Sequence, residues 1–358
     1  MSSAGPDVDA IVIGAGAIGL ACAHALASSG LDVCVVERHG RVGSEISSRN
    51  SGVIHAGIHG AMGTLKSEAC IAGRRRLYEW CAKRGVPHRQ TGKLIVARDD
   101  EVEALEALAA RAEQKGLCVD RVGATQLARD EPLLRAAAAL EVTESGVVDA
   151  HAFVESLRRA ALDEGAQVVL GHAVTGLSRR GGLWRVDMSG ETSTTRWVVN
   201  AAGLAADMVA ELAGVDVDAR GWRVHPWKGD YFRIDGGRPE HALVYPMPGG
   251  GGLGVHLTRD MSGRLLAGPD ANPGDGYAVD EKKREVFVEA VRRYWPSVQA
   301  DAFSADFAGI RPKLRADGCW ADFVVEQDPP GLIHLIGIES PGLTASLALA
   351  ALVQRMVA

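Results

Sequence analysis

Two short runs of almost unbroken hydrophobic residues, DAIVIGAG and DVCVVE, bracket a helical stretch over residues 18–29 that stops at Gly30. A strand buried on both faces has no polar face to present, so this order predicts a parallel βαβ unit at the start of the chain. A helical stretch is predicted over residues 67–84, and helical periodicity marks 101–115 and 151–165; in 101–115 Val102, Leu105 and Leu108 form one apolar stripe. A short helix is predicted in ATQLARDEP, closed before Pro132. GKLIVA and AQVVLGHAVTGL read as strands, and LWRVDMSGETSTTRWVVNAAG alternates with period two about a Ser-Gly turn, as a meander does. Residues 222–266 are strand-rich and broken by Gly and Pro, including the run PGGGGLG, and the charged helix DEKKREVFVEAVRRYW follows. The chain closes with a buried strand, a Gly/Pro turn and a last helix in GLIHLIGIESPGLTASLALAALVQRM.

Composition narrows the class. The 358 residues suffice for two domains, and 47% hydrophobic with 23% charged residues is ordinary globular usage. A net charge of −6 gives no electrostatic footprint for nucleic acid. The six cysteines include no C-x-x-C pair and no metal-ligand spacing, so no metal is expected. Cys22, Cys34 and Cys70 sit in apolar or helical patterns and read as reduced core thiols, which fits a reducing compartment. Residues 10–27 are nearly uncharged, but they contain Gly14, Gly16 and Gly19 and follow Asp7 and Asp9 instead of a basic segment. Residues 343–357 are too short to span a bilayer. No integral membrane segment is expected, and the location expected is cytoplasmic, or peripheral at the inner membrane.

The first chemistry lies in GAGAIG. Gly14 suits a tight turn, Gly16 lets the backbone approach a pyrophosphate, and Gly19 lets the helix pack close to the strand. The helix N-terminus adds free N–H groups and a favourable dipole. Glu37, 23 residues after Gly14, is spaced to meet a ribose hydroxyl. These features predict a dinucleotide but do not separate nicotinamide from flavin. Residues 40–63 bear on that choice. They form a long irregular segment, with SSRNSGVIHAG at its centre, where small residues, hydroxyls, an amide and one imidazole crowd together.

The order GAGAIG, Glu37, SSRNSGVIHAG, KGDYF, LGVHLTRDMSG, AGIRPKL, GIESPGLTAS resembles the FAD-dependent oxidoreductases of the D-amino-acid oxidase-like superfamily, and within it most of all the L-2-hydroxyglutarate dehydrogenases. The likeness covers essentially the whole chain. It implies an α/β fold: a Rossmann-like FAD-binding domain of residues 1–85, 146–212 and 300–358. Into it an α+β substrate domain with an antiparallel sheet, residues 86–145 and 213–299, is inserted. It also implies FAD contacts at Gly14, Gly16, Ala17, Ile18, Gly19, Glu37 and Arg38, with Ser47, Ser48, Asn50, Ser51 and Gly52 along the pyrophosphate, ribityl chain and ring. Val174, Ala202 and Gly203, Gly309 and Arg311, and the turn Pro341, Gly342, Leu343 and Thr344 complete the implied set.

The resemblance implies oxidation of a 2-hydroxy acid, favoured substrate L-2-hydroxyglutarate, by hydride transfer from Cα to flavin N5. Arg311, in Gly309-Ile310-Arg311-Pro312, is the candidate carboxylate anchor, because a guanidinium matches a carboxylate with a planar fork and stays charged. The plain alternative pairs it with Asp306 on the surface. His55 and His256 compete as the base. Lys228 is a further candidate, for a distal carboxylate or near N5, and Tyr245 a weaker one. His24, His39, His59, His88 and His334 carry no constellation. After VIHAG this chain reads IHGAMGTLKSEAC, and Gly60 and Ala61 imply a wider pocket mouth or a different substrate. The expected partners are a small carboxylate substrate and an electron acceptor, oxygen or a quinone. Alternatives on the same scaffold are an amine or amino-acid oxidase, a glycerol-3-phosphate dehydrogenase-like enzyme, and a flavin-binding subunit without chemistry of its own.

Overall fold

The computed structural model describes residues 5–248 and 254–358, so most of the PGGGGLG run lies outside the described residues. The strand Val8–Ile13 pairs in parallel with Val33–Glu37 on one side and Glu191–Asn200 on the other. Gln167–Leu170 and Leu332–Ile336 extend the parallel sheet at its two ends. Alternate residues of the first strand enter different cores. Ala10 and Val12 pack with the helices Ala17–Ala27, Leu65–Arg84, Ala150–Asp163 and Gly342–Val357. Ile11 and Ile13 pack with Trp184 and Val186 of the meander. Both faces are dry, which is why the strand is apolar throughout.

Local chemistry sets the helix ends. Thr64 accepts from Ser67 N at 3.3 Å at the start of Leu65–Arg84, and Gly85 ends it in the left-handed region. Asp149 accepts from Ala152 N at 2.9 Å to start Ala150–Asp163. At the head of Ala17–Ala27, Gly14 has φ +103°, and a Cβ there would fall 2.6 Å from Ala201 O. A Cβ on Gly19 would strike the carbonyl of Gly14. The motif's glycines therefore bring strand, turn and helix to a closeness that larger residues forbid.

AQVVLGHAVTGL is two strands, Gln167–Leu170 and Val174–Arg180, not one. Gly171 takes φ +76° and His172 N donates to Glu37 O at 2.9 Å, which turns the chain off the parallel sheet and into the meander.

Among the described residues the second large sheet has nine strands and is antiparallel except where Leu243–Pro246 runs parallel to Leu94–Ala97. Its one face packs on Phe287, Val288 and Val291 of the helix Arg284–Arg292, and the other on Leu105, Leu108 and Ala109 of Val102–Gln114. The eleven-residue strand Phe303–Lys313 pairs with His225–Ile234 in this sheet, although the sequence division groups residues 300–358 with the other. Its first half, FSADF, alternates with period two, but the run AGIRPK that follows breaks the pattern before the strand ends. A small sheet of Val53–Ile54, Gly146–Val148 and His88–Gln90 holds the segment after the first βαβ unit. Among the described residues no helix is long and apolar enough to cross a membrane. All six cysteines are unbridged thiols.

Candidate active site

One cavity of about 1740 Å³ is lined from both large sheets. Ordinary small-molecule pockets hold roughly 300–1,000 Å³. This one has room for a dinucleotide and a substrate together.

At its nucleotide end the Glu37 carboxylate accepts from Ala15 N at 2.8 Å and from His39 N at 2.9 Å. Each oxygen keeps a further lone pair, which suits a ribose diol. Ser47 Oγ accepts from Ala17 N at 2.9 Å, at the first turn of Ala17–Ala27, so its own O–H is left to donate. A Cβ on Gly16 would fall 3.0 Å from that oxygen, so the backbone lies bare beside it. Anion-attracting helix dipole, outward hydroxyl and bare backbone fit a pyrophosphate.

Most of the cofactor residues expected from the sequence line this cavity; Gly19, Ser48 and Gly52 do not. Ser48 Oγ donates instead to Glu45 O at 3.1 Å. Gly52 sits against the carbonyl of Val148, where any side chain would collide, so its place is in the small sheet. Asn50 lines the cavity, yet its amide donates to Ile46 O and Ser47 O and its Oδ1 accepts from Gly52 N at 2.9 Å. It shapes the loop. Thr344 likewise accepts from His55 N at 3.1 Å and donates to Val53 O at 3.3 Å, tying residues 53–55 to the head of the helix Gly342–Val357.

The substrate end gathers His55, Tyr245, His256 and Arg311. Arg311 Nη1 donates to Asp270 O at 3.2 Å, while Asp306 meets Arg264 at 3.4 Å, so the surface pairing with Asp306 does not occur. His55 Nε2 lies 3.3 Å from Ser340 Oγ. His256 stacks on Tyr245 with ring centres 3.9 Å apart, as cross-strand neighbours of Leu243–Pro246 and the adjoining Leu257–Arg259. Its Nδ1 lies 3.2 Å from Gly254 O; a carbonyl only accepts, so Nδ1 carries the proton and Nε2 is the open acceptor. Burial pushes His256 down to about 3 and holds His55 well below the ordinary histidine range, and the Lys93 charge adds to both effects. Both rings are neutral.

Lys228 does not line the cavity. Its ammonium lies 2.8 Å from Asp230 Oδ1 and donates to Ala278 O, which occupies it away from any ligand. In its place the cavity holds Lys93 and His59, neither of which the sequence singles out, and a buried Lys66–Glu339 pair at 2.9 Å. His59 repeats at four residues from His55 in the same irregular segment, which is the one signal that could have found it.

A family model described as FAD dependent oxidoreductase matches residues 9–356. The chain belongs to the FAD-dependent oxidoreductase family. This oxidoreductase is 35% identical over 401 residues to the mitochondrial L-2-hydroxyglutarate dehydrogenase of Arabidopsis thaliana, covering 96% of this chain and 82% of the relative. It is 29% identical over 352 residues to a glycerol 3-phosphate dehydrogenase of Caloramator mitchellensis, covering 95% of this chain and 72% of that one. Among solved structures, a dithionite-reduced L-α-glycerophosphate oxidase from Mycoplasma pneumoniae with FAD bound superposes with TM-score 0.89 at 27% identity, over 98% of this chain and 94% of that chain. The cofactor of this oxidoreductase is FAD, and the nucleotide end of its cavity has the groups to hold it.

Proposed function

We propose that this oxidoreductase converts 2-hydroxy acids to 2-oxo acids, with L-2-hydroxyglutarate favoured. The observation that carries the reading is the meeting of one guanidinium with two neutral imidazoles in the cavity that receives FAD. The name of the Arabidopsis relative supports the same substrate. Bound FAD supplies a two-electron acceptor for the Cα hydrogen.

The chain's own residues do the rest. Arg311 has further N–H donors beyond the one spent on Asp270 O, and they hold the C1 carboxylate. His55 takes the hydroxyl proton at Nε2, and Ser340 Oγ, 3.3 Å away, then accepts a hydrogen bond from the protonated ring. His256, locked by Gly254 and Tyr245, offers Nε2 as an acceptor that orients the hydroxyl. Buried Tyr231 and the turn Pro341–Thr344 line the same cavity. An acceptor, oxygen or a quinone, takes the electrons onward.

Dye-linked oxidation with L-2-hydroxyglutarate, sarcosine, D-amino acids and glycerol 3-phosphate tests the reading. Fastest turnover with L-2-hydroxyglutarate is expected; turnover with an amine or the phosphate ester alone would overturn it.

A further inference from the structure

Lys93 is fully buried, at 0% exposure, and its ammonium has no hydrogen-bond partner among the described residues. An ammonium in such a place is costly unless something compensates it. What surrounds it in this structure is a π face and neutral groups. Nζ lies 4.4 Å from the centre of the Tyr245 ring, and the neighbours that its charge affects are His55, His59, His256 and the buried thiol of Cys70. Among the described residues no carboxylate acts on it, and burial draws it down to about 8.

The backbone fixes this arrangement. Lys93 N donates to Val142 O at 3.1 Å and Val142 N donates back to Lys93 O at 2.8 Å. Leu94 pairs with Val244 and Ile95 with Tyr245, so Lys93, two residues before Ile95, stands on the sheet face that carries Tyr245. Tyr245 lines the cavity, and so does Lys93 itself.

We infer that Lys93 is the receptor for a second anionic group of the substrate, the distal carboxylate of a 2-hydroxy diacid whose C1 carboxylate is held by Arg311. The missing counter-ion of the buried ammonium then arrives with the ligand. This rests on the 2-hydroxy-acid reading for the substrate's identity, and on the lysine's own surroundings for the second charge. It moves the distal-carboxylate role from Lys228, which Asp230 engages, to a lysine with no acidic partner. A carboxylate at Lys93 also offsets the charge that disfavours protonation of His55, so the same contact that selects a diacid makes the nearby base stronger.

The test uses the holoenzyme and two non-reacting probes, glutarate and butanoate, titrated by their perturbation of the flavin spectrum. The wild type should bind glutarate at least about 30-fold more tightly than butanoate, the lower end of what truncating a buried charged partner costs. In Lys93→Met the ratio should fall to near one, with FAD content and butanoate affinity retained. Equal binding of the two probes by the wild type would overturn the inference, and so would a variant that keeps the preference. If Lys93→Met does not retain FAD, Lys93→Gln serves, and the wild-type ratio needs no variant. Failure of the 2-hydroxy-acid reading shows separately, as dye reduction by an amine, and leaves the glutarate preference to be judged by itself.

Discussion

His55 and Arg311 divide the proposed chemistry between a proton and an anchor, so their truncations should separate in steady-state kinetics. Arg311→Ala removes a charged hydrogen-bonding partner and should raise KM by about 30-fold or more. His55→Asn keeps a polar group of similar reach but no base, and should lower kcat by about 10²-fold with KM little changed. Equal effects of both variants on KM and kcat would deny the division. The motif glycines were legible in the sequence because their chemistry is local: a strand-turn-helix carries its own context, whereas Arg311 was singled out through the resemblance of its G-x-R-P stretch. Lys93 was not legible. A lysine just ahead of LIVA reads as a solvated strand end, and only the pairing of Leu94–Ala97 with Leu243–Pro246, far away in the chain, turns it inward. Lys228 shows the converse, since its neighbour Asp230 lies two residues on along the same strand and claims it.

The connection between the short helix Ala124–Asp130 and the strand Leu243–Pro246 depends on one buried carboxylate. Glu131, 1% exposed, accepts from Glu240 N at 2.9 Å, from His241 N at 2.6 Å and from His241 Nδ1 at 2.5 Å. The Glu131 hydrogen bond, reinforced by the charges of Glu131 and Glu141, raises the His241 pKa above the ordinary histidine value. A base whose folded-state pKa is raised contributes its full stability below the unfolded pKa of about 6.5 and loses it as pH rises through the folded value. His241→Gln should therefore lower Tm more at about pH 5.5 than in alkaline solution above the raised folded value. An equal loss at both would remove the ion pair from the account. Elements with strong periodicity, such as Val102–Gln114 and Ala150–Asp163, and the continuous apolar runs of the opening βαβ unit were visible from sequence because pattern and burial agree there. Phe303–Lys313 was not visible over its whole length, because its first half, with Phe303 and Ala305 in the second sheet's core, alternates, while Gly309, Ile310, Arg311 and Lys313 line the cavity and do not.

At the scale of the molecule, one mixed sheet with a parallel centre supplies the helix N-terminus and Glu37, and one mostly antiparallel sheet supplies Arg311, Tyr245 and His256. The segment after the first βαβ unit runs between them, tied to the C-terminal helix by Thr344 and packed through Ala56 and Ile58 on the second sheet's core. This explains why the SSRNSGVIHAG stretch is small and polar at one end and apolar at the other. It also explains why the site belongs to neither sheet alone. The proposed reaction requires electrons to move from a substrate held by the second sheet to a cofactor held by the first. The most direct measurement is anaerobic titration of the FAD-loaded enzyme with L-2-hydroxyglutarate, followed by the yellow flavin absorbance. One equivalent of substrate per flavin should bleach the absorbance and yield one equivalent of 2-oxoglutarate. A flavin that stays oxidised in excess L-2-hydroxyglutarate, yet is bleached by an amine or by glycerol 3-phosphate, would contradict the account.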